Sequence, residues 1–184
     1  ILRSPWYPVL IMGTTRVDGW IPFWPSAFYM YASLWVYTSL VPALQPNISR
    51  LFIYGFGIGL VCLTGLTLFV FFPTAVPYAS ADWFNDPALV ILREIDMTGN
   101  ACPSLHVASA IFTAICLHRQ LKSMGCPAWL KMISWVWCAC IVYSTLAIKQ
   151  HVLWDALAGL LLGIIVAPIY RKFEIFMLNK ENHS

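Results

Sequence analysis

The sequence predicts an all-α, polytopic transmembrane helical bundle, and composition, run length and aromatic placement all point that way. Apolar residues make up 60% of the 184-residue chain and charged residues only 10%, against about 25% charged in an ordinary soluble domain. A chain this poor in charge cannot cover a globular surface with it. The apolar residues fall in runs close to the ~20 residues that cross a bilayer as a helix. Trp and Tyr gather near the ends of several runs, as interfacial aromatic belts do. The length suits a single domain, residues 1–184. A net charge of +3 gives no reason to expect a nucleic-acid partner. The bilayer is the expected surroundings.

Five spans are expected, roughly at 24–44, 51–73, 103–120, 129–148 and 152–170. "LFIYGFGIGLVCLTGLTLFVFF" is the plainest, and the Gly55/Gly59 and Gly159/Gly163 spacings would let helices approach closely. The six cysteines show no CxxC pair and read as small buried hydrophobes. The chain begins at Ile1, which suggests processing or trimming, and "PWYPVLIMG" is too short for a targeting segment. The one long connection, residues 73–102, contains "WFNDPALVILREI", whose apolar spacing suits a short interfacial helix and whose length suits a lid or binding loop.

Sidedness follows from the basic residues at the span ends. One face would carry Arg50, Arg119, Lys122, Lys131, Arg171, Lys172 and Lys180, and the other only Arg3, Arg16, Arg93 and Lys149. The first face is therefore expected in the cytoplasm, and both N-x-S sequons, at Asn47 and Asn182, are then chance. The acidic residues reverse the bias, since Asp18, Asp82, Asp86, Glu94, Asp96 and Asp155 fall on the outer face. Polar groups at the lip of a membrane span are costly unless something uses them.

Two stretches meet at that outer lip, "NACPSLHVASA" from Asn100 and "STLAIKQHVLWDALAG" from Ser144. His151 and Asp155 are four apart, so on a helix they share a face. A carboxylate behind a histidine fixes its tautomer and stabilises the imidazolium, which suits a nucleophile or a general base. Lys149 adds a cation, and Ser104 with the first amides of the third span would welcome an anion. Pro103 suits a first helical turn. Together the residues match the needs of a tetrahedral phosphate. One histidine can attack phosphorus, the other can protonate a leaving alkoxide, and the donors can neutralise the equatorial oxygens. His118, beside Arg119 at the opposite face, and His183, in a polar tail, are given no role.

On these residues the chain resembles the type 2 phosphatidic acid phosphatase family of membrane lipid phosphatases and phosphotransferases. "PSLH" is similar to the family's Pro-Ser-Gly-His motif at Pro103, Ser104 and His106, with Leu105 in place of Gly. "STLAIKQHVLWD" is similar to Ser-Arg-x5-His-x3-Asp at Ser144, His151 and Asp155, with Thr145 at the arginine position. "PSLHVA" with "KQHxxxD", and "DGWIPFWPSAFYMY" from Asp18, resemble the branch that includes inositol phosphorylceramide synthase-like proteins. The likeness runs over roughly residues 16–170. It implies a bundle of usually six helices that needs no metal or other cofactor. It also implies that His151 forms a phosphohistidine, that Asp155 orients it, that His106 is acid and then base, and that Ser104 holds a phosphate oxygen. The family's Lys-x6-Arg-Pro motif is absent, and the sixth helix is not evident. Lys149 is the best substitute cation, with Arg93 and Arg16 as outer-face candidates.

The leading expectation is a lipid-phosphate phosphatase at the outer face of a bacterial inner membrane, or a phosphotransferase that differs only in whether water or an alcohol attacks next. Two other classes use the same histidines. A haem or metal protein could take His106 and His151 as ligands, but this leaves "PS" and Lys149 without a role. An inactive lipid-binding scaffold would account for the missing cations but not for the retained histidines and aspartate.

Overall fold

The computed structural model describes residues 5–77 and 99–181, and it is a helical bundle with very little sheet. The N-terminal part forms β1 (Leu10–Ile11), α1 (Arg16–Trp20), a single 3-10 turn (Pro25–Ala27), α2 (Phe28–Ala32) and α3 (Leu34–Ala43). The remainder forms α4 (Ile48–Phe71), β2 (Thr74–Ala75), α5 (Leu105–Ser123), α6 (Ala128–Ala147) and α7 (Leu153–Glu181). The interfacial helix expected within "WFNDPALVILREI" lies outside the described residues.

Among the described residues three helices, α4, α6 and α7, are long and apolar enough to cross a membrane. The other two expected spans differ for physical reasons. The 24–44 run is divided at Ser33, whose hydroxyl donates to the Met30 carbonyl at 2.6 Å and competes with the helical ladder. The 103–120 run is one helix, α5, but it carries His106, His118, Arg119, Gln120 and Lys122. His106 is tolerated because α5 is the central helix, surrounded by α3, α4, α6 and α7. His118, Arg119 and Gln120 are only half-buried and Lys122 is exposed, all near the helix's far end. Val107, Ala108, Ala110, Phe112 and Ala114 are fully buried along α5. By contrast, Phe52, Leu63, Trp129, Met132, Leu161 and Ile165 are exposed on α4, α6 and α7, which gives the bundle an apolar outer coat suited to lipid.

Glycines set the closest approaches, though only one of the two expected pairs takes part. A Cβ on Gly159 would collide with the Ser104 carbonyl, and one on Gly163 would lie 2.7 Å from the Ala108 carbonyl. The α5–α7 contact is therefore backbone against backbone at the end that carries Ser104 and His106. Gly55 and Gly59 have open space around them and do not serve a helix contact. On α4 that work falls to Gly57, under the Phe112 and Tyr170 rings, and to Gly65, under Leu105.

The ends of α5 are set locally. Ser104 caps its start, its Oγ accepting from the Val107 amide at 3.3 Å. Gly125 closes its end in the left-handed region, φ +71°, while the Cys126 amide donates to the Leu121 carbonyl at 2.9 Å. At that far end Arg119 donates to Glu174 of α7 at 2.6 Å, and Arg50 approaches the same carboxylate at 3.9 Å. At the near end β1 pairs in parallel with β2. Thr74 then holds the next segment, with Oγ1 accepting from the Cys102 amide at 2.7 Å and its carbonyl accepting from the Ala101 amide at 3.0 Å. The residues leading into Ser104 are thereby tied down.

Candidate active site

Four elements converge at the near end of the bundle: α2, the start of α5, the α6–α7 turn and the first turn of α7. The α6–α7 turn is tight. The Thr145 carbonyl accepts from the amides of both Gln150 (3.1 Å) and His151 (3.2 Å), and Thr145 itself is fully buried. Lys149 takes φ +59°, a left-handed conformation uncommon for a residue with a Cβ. His151 thus sits in the turn before α7 rather than on the helix, while Asp155 lies in the helix's first turn. The expected pairing still forms: His151 Nδ1 lies 2.8 Å from Asp155 Oδ2.

Both partners are withdrawn from solvent, His151 at 6% exposure and Asp155 at 0%. A buried carboxylate is costly unless it is paired. Oδ2 has the imidazole, and Oδ1 has no partner among the described residues. The Asp155 carbonyl also accepts from the Ser104 amide at 2.9 Å, so the start of α5 is bonded to the first turn of α7. With Nδ1 facing the carboxylate, Nε2 is the ring nitrogen of His151 available for chemistry.

The structure brings His106 to this pair, with ring centroids 6.4 Å apart at 51°. Ser104 is fully buried and its hydroxyl already accepts from its own helix, though the hydroxyl proton can still be donated. Lys149 is at the site, but its ammonium donates to the carbonyls of Asp18 at 2.8 Å and Ile21 at 2.6 Å. Burial lowers its pKa below the usual lysine range, and the Asp18 carboxylate partly opposes that shift. Arg93 lies outside the described residues. Arg16 opens α1 near this end. His118 accepts from Trp135 Nε1 at 3.2 Å, far from the histidine pair along α5.

Two contributors were not legible as site residues. Asp18 is buried, and its Oδ1 accepts from the Leu153 amide at 2.8 Å, which satisfies one of the open donors at the start of α7. Its Oδ2 completes a capping box with Thr15. Tyr31, 5% exposed, stacks on His106 with centroids 4.1 Å apart at 23°, and its hydroxyl lies 3.3 Å from His106 Nδ1. The signal for Asp18 is a Thr-x-x-Asp box just before an apolar stretch. Tyr31 carries no local signal, being 75 positions from its partner.

An imidazole oriented by a buried carboxylate, with a second imidazole beside it, can form and break a covalent bond with proton transfer close at hand. Comparison with known proteins agrees in kind. A family model, the PAP2 superfamily, matches residues 51–175, which takes in α5, α6, the histidine pair and most of α7. No curated protein and no solved structure matches. The match covers more than half of the chain and includes every residue of the His106–His151–Asp155 cluster, so this chain belongs to the PAP2 superfamily.

Proposed function

We propose that this membrane protein is a lipid-phosphate phosphatase that works through a phosphohistidine on His151. Membership of the superfamily supports phosphatase or phosphotransferase activity in general. The observation that carries the finer reading is the 2.8 Å contact between His151 Nδ1 and the buried Asp155, with the His106 ring 6.4 Å away.

The reaction runs in two halves. In the first, the His151 Nε2 lone pair attacks phosphorus, the N–P bond forms and the P–O bond to the lipid breaks. His106 passes a proton from Nε2 to the departing alkoxide. The phosphate's negative charge favours the imidazolium form of His106 that this needs. In the second half water attacks phosphorus, His106 Nε2 takes its proton, the N–P bond breaks and inorganic phosphate leaves. Asp155 keeps the Nδ1 proton of His151 in place and offsets the positive charge that develops on its ring. Ser104, Lys149 and Arg93 hold the phosphate in this reading. Ser104 does so with its hydroxyl proton. Lys149 does so through its charge, since two of its three protons are already given to carbonyls.

A lipid substrate is favoured by an apolar groove of about 380 Å³ beside Cys102 and Pro103, lined by Leu68, Phe72, Leu161 and Ile165. It opens between α4 and α7 immediately before Ser104. In this reading the groove takes the substrate's alkyl tail. A transferase follows the same first half, with an alcohol replacing water in the second.

Trapping the intermediate tests this reading. The protein is mixed with a lipid phosphate bearing labelled phosphorus, quenched in alkali to preserve N–P bonds and digested. Label on the peptide containing His151, absent in His151→Ala, is the expected result. Label on a different residue, or turnover with full activity in His151→Ala, would sink the mechanism.

A further inference from the structure

Residues 15–32 precede the region that the family model matches, yet they are built into the site. Asp18 Oδ1 accepts from the Leu153 amide at 2.8 Å, at the start of the helix that bears Asp155. Lys149 donates to the carbonyls of Asp18 and Ile21. The Trp24 amide donates to the Ala147 carbonyl at 2.9 Å. These contacts fasten the segment, as a strap, on both sides of the turn that carries His151. Where the strap continues into α2 it delivers Tyr31, backed by the Phe28 ring at 6.3 Å, onto the face of His106.

The two histidines differ in what stands at Nδ1. His151 has a carboxylate. Among the described residues no carboxylate pairs with His106, and the group at its Nδ1 is the Tyr31 hydroxyl. We propose that Tyr31 is the positioning residue of His106, set in place by the 15–32 strap. Its ring fixes the imidazole plane, and its oxygen accepts from Nδ1–H, which leaves Nε2 as the nitrogen that exchanges protons. The Nδ1 proton stays put through both halves of the reaction. Only the Nε2 proton moves, first to the departing alkoxide and then back from water. A neutral phenol oxygen suits this second histidine. It pins the tautomer without adding a second buried negative charge beside the incoming phosphate, as a carboxylate would.

This inference rests on the phosphatase reading for its kinetic consequence but not for its structural one, so its test has two readouts. The first is nitrogen NMR of histidine-labelled protein in lipid nanodiscs, with His106 assigned by its disappearance in His106→Gln. It reports the tautomer without substrate. Wild type is expected to hold the Nδ1–H form, and Tyr31→Phe to move toward a mixture with Nε2–H. The second is kinetics. One hydrogen bond is worth about 1 kcal/mol net, so Tyr31→Phe should lower kcat about fivefold with KM unchanged. Tyr31→Leu removes the stacked ring as well and should lower kcat by about a hundredfold, the effect of a small misplacement of a reacting group. An unchanged His106 tautomer in Tyr31→Phe overturns the proposal whatever the activity. A rise confined to KM, with kcat unchanged, overturns it too, since that would make Tyr31 a substrate contact. A tautomer shift in a protein that releases no phosphate would uphold the pairing and fault the phosphatase reading instead.

Discussion

Asp155→Asn separates orientation from nucleophilicity. Asparagine matches the carboxylate in volume but cannot supply its charge, so the His151 ring loses the partner that offsets its developing imidazolium. In hydrolytic triads such a change costs up to about 10⁴ in kcat while geometry is kept, and a loss of about 10²–10⁴ is expected here. Phosphate release by the detergent-purified variant checks it, with the helical circular-dichroism signal unchanged. His106→Gln should cost about 10²–10⁴ if that residue moves the proton. The loss should be smaller for substrates whose leaving group is already acidic, such as an aryl phosphate, because these need less protonation. An equal loss on both substrate types would contradict the acid role. The pairing of His151 with Asp155 was legible because four-residue spacing is a local rule that holds even though His151 lies just outside the helix. The second use of Lys149 was not. A lysine between two spans reads as a free cation, and nothing near it in sequence reveals that the carbonyls of Asp18 and Ile21 come back to meet it.

Helix α7 carries its own test of how closely it packs on α5. Gly159→Ala places a methyl group against the Ser104 carbonyl, which belongs to backbone and cannot swing aside. The start of α5 must then shift, moving His106 away from His151. Gly159→Ala is expected to lower both thermal stability and activity, overpacking of this kind costing about 1–3 kcal/mol. Gly55→Ala and Gly59→Ala, with open space around them, should leave both unchanged. Melting curves in one detergent, read beside phosphate release, compare the three. The sequence marks all these glycines alike. Helix α4 is apolar all round, so its pattern does not say which face meets protein, and Gly57 and Gly65 could not be preferred over Gly55 and Gly59. Existence and rough ends of α4 and α6, and the start of α7, were legible from run length, whereas α7 runs on to Glu181, well past the expected end at 170. The central place of α5 was not legible, because run length does not say which helix the others surround. At this scale the strap makes a further expectation. Lys149→Ala frees the Asp18 and Ile21 carbonyls and should reduce kcat in step with Tyr31→Leu as well as raise KM, whereas a purely phosphate-binding lysine would raise KM alone. Initial rates over a range of lipid concentrations distinguish these.

Viewed as a whole, the molecule separates its charges along α5. His106, His151, Asp155 and Asp18 lie at one end, while Arg119, Arg50 and Glu174 lie at the other. Nineteen residues of helix span about 28 Å at 1.5 Å per residue, close to the ~30 Å hydrocarbon core. The basic end is expected in the cytoplasm. A fluorescent protein fused after residue 184 should therefore be bright, and a secreted-type alkaline phosphatase fused there should be inactive; the reverse pattern would turn the site to the other face. The most direct measurement of the central claim is phosphate release from a panel of lipid phosphates and diphosphates by wild type and His151→Ala, with a chelator and with or without an alcohol acceptor. Release by wild type in chelator, abolished by His151→Ala, is expected. Product that appears only when an alcohol is supplied would identify a transferase with the same first step. Release that His151→Ala leaves intact would contradict the phosphohistidine account.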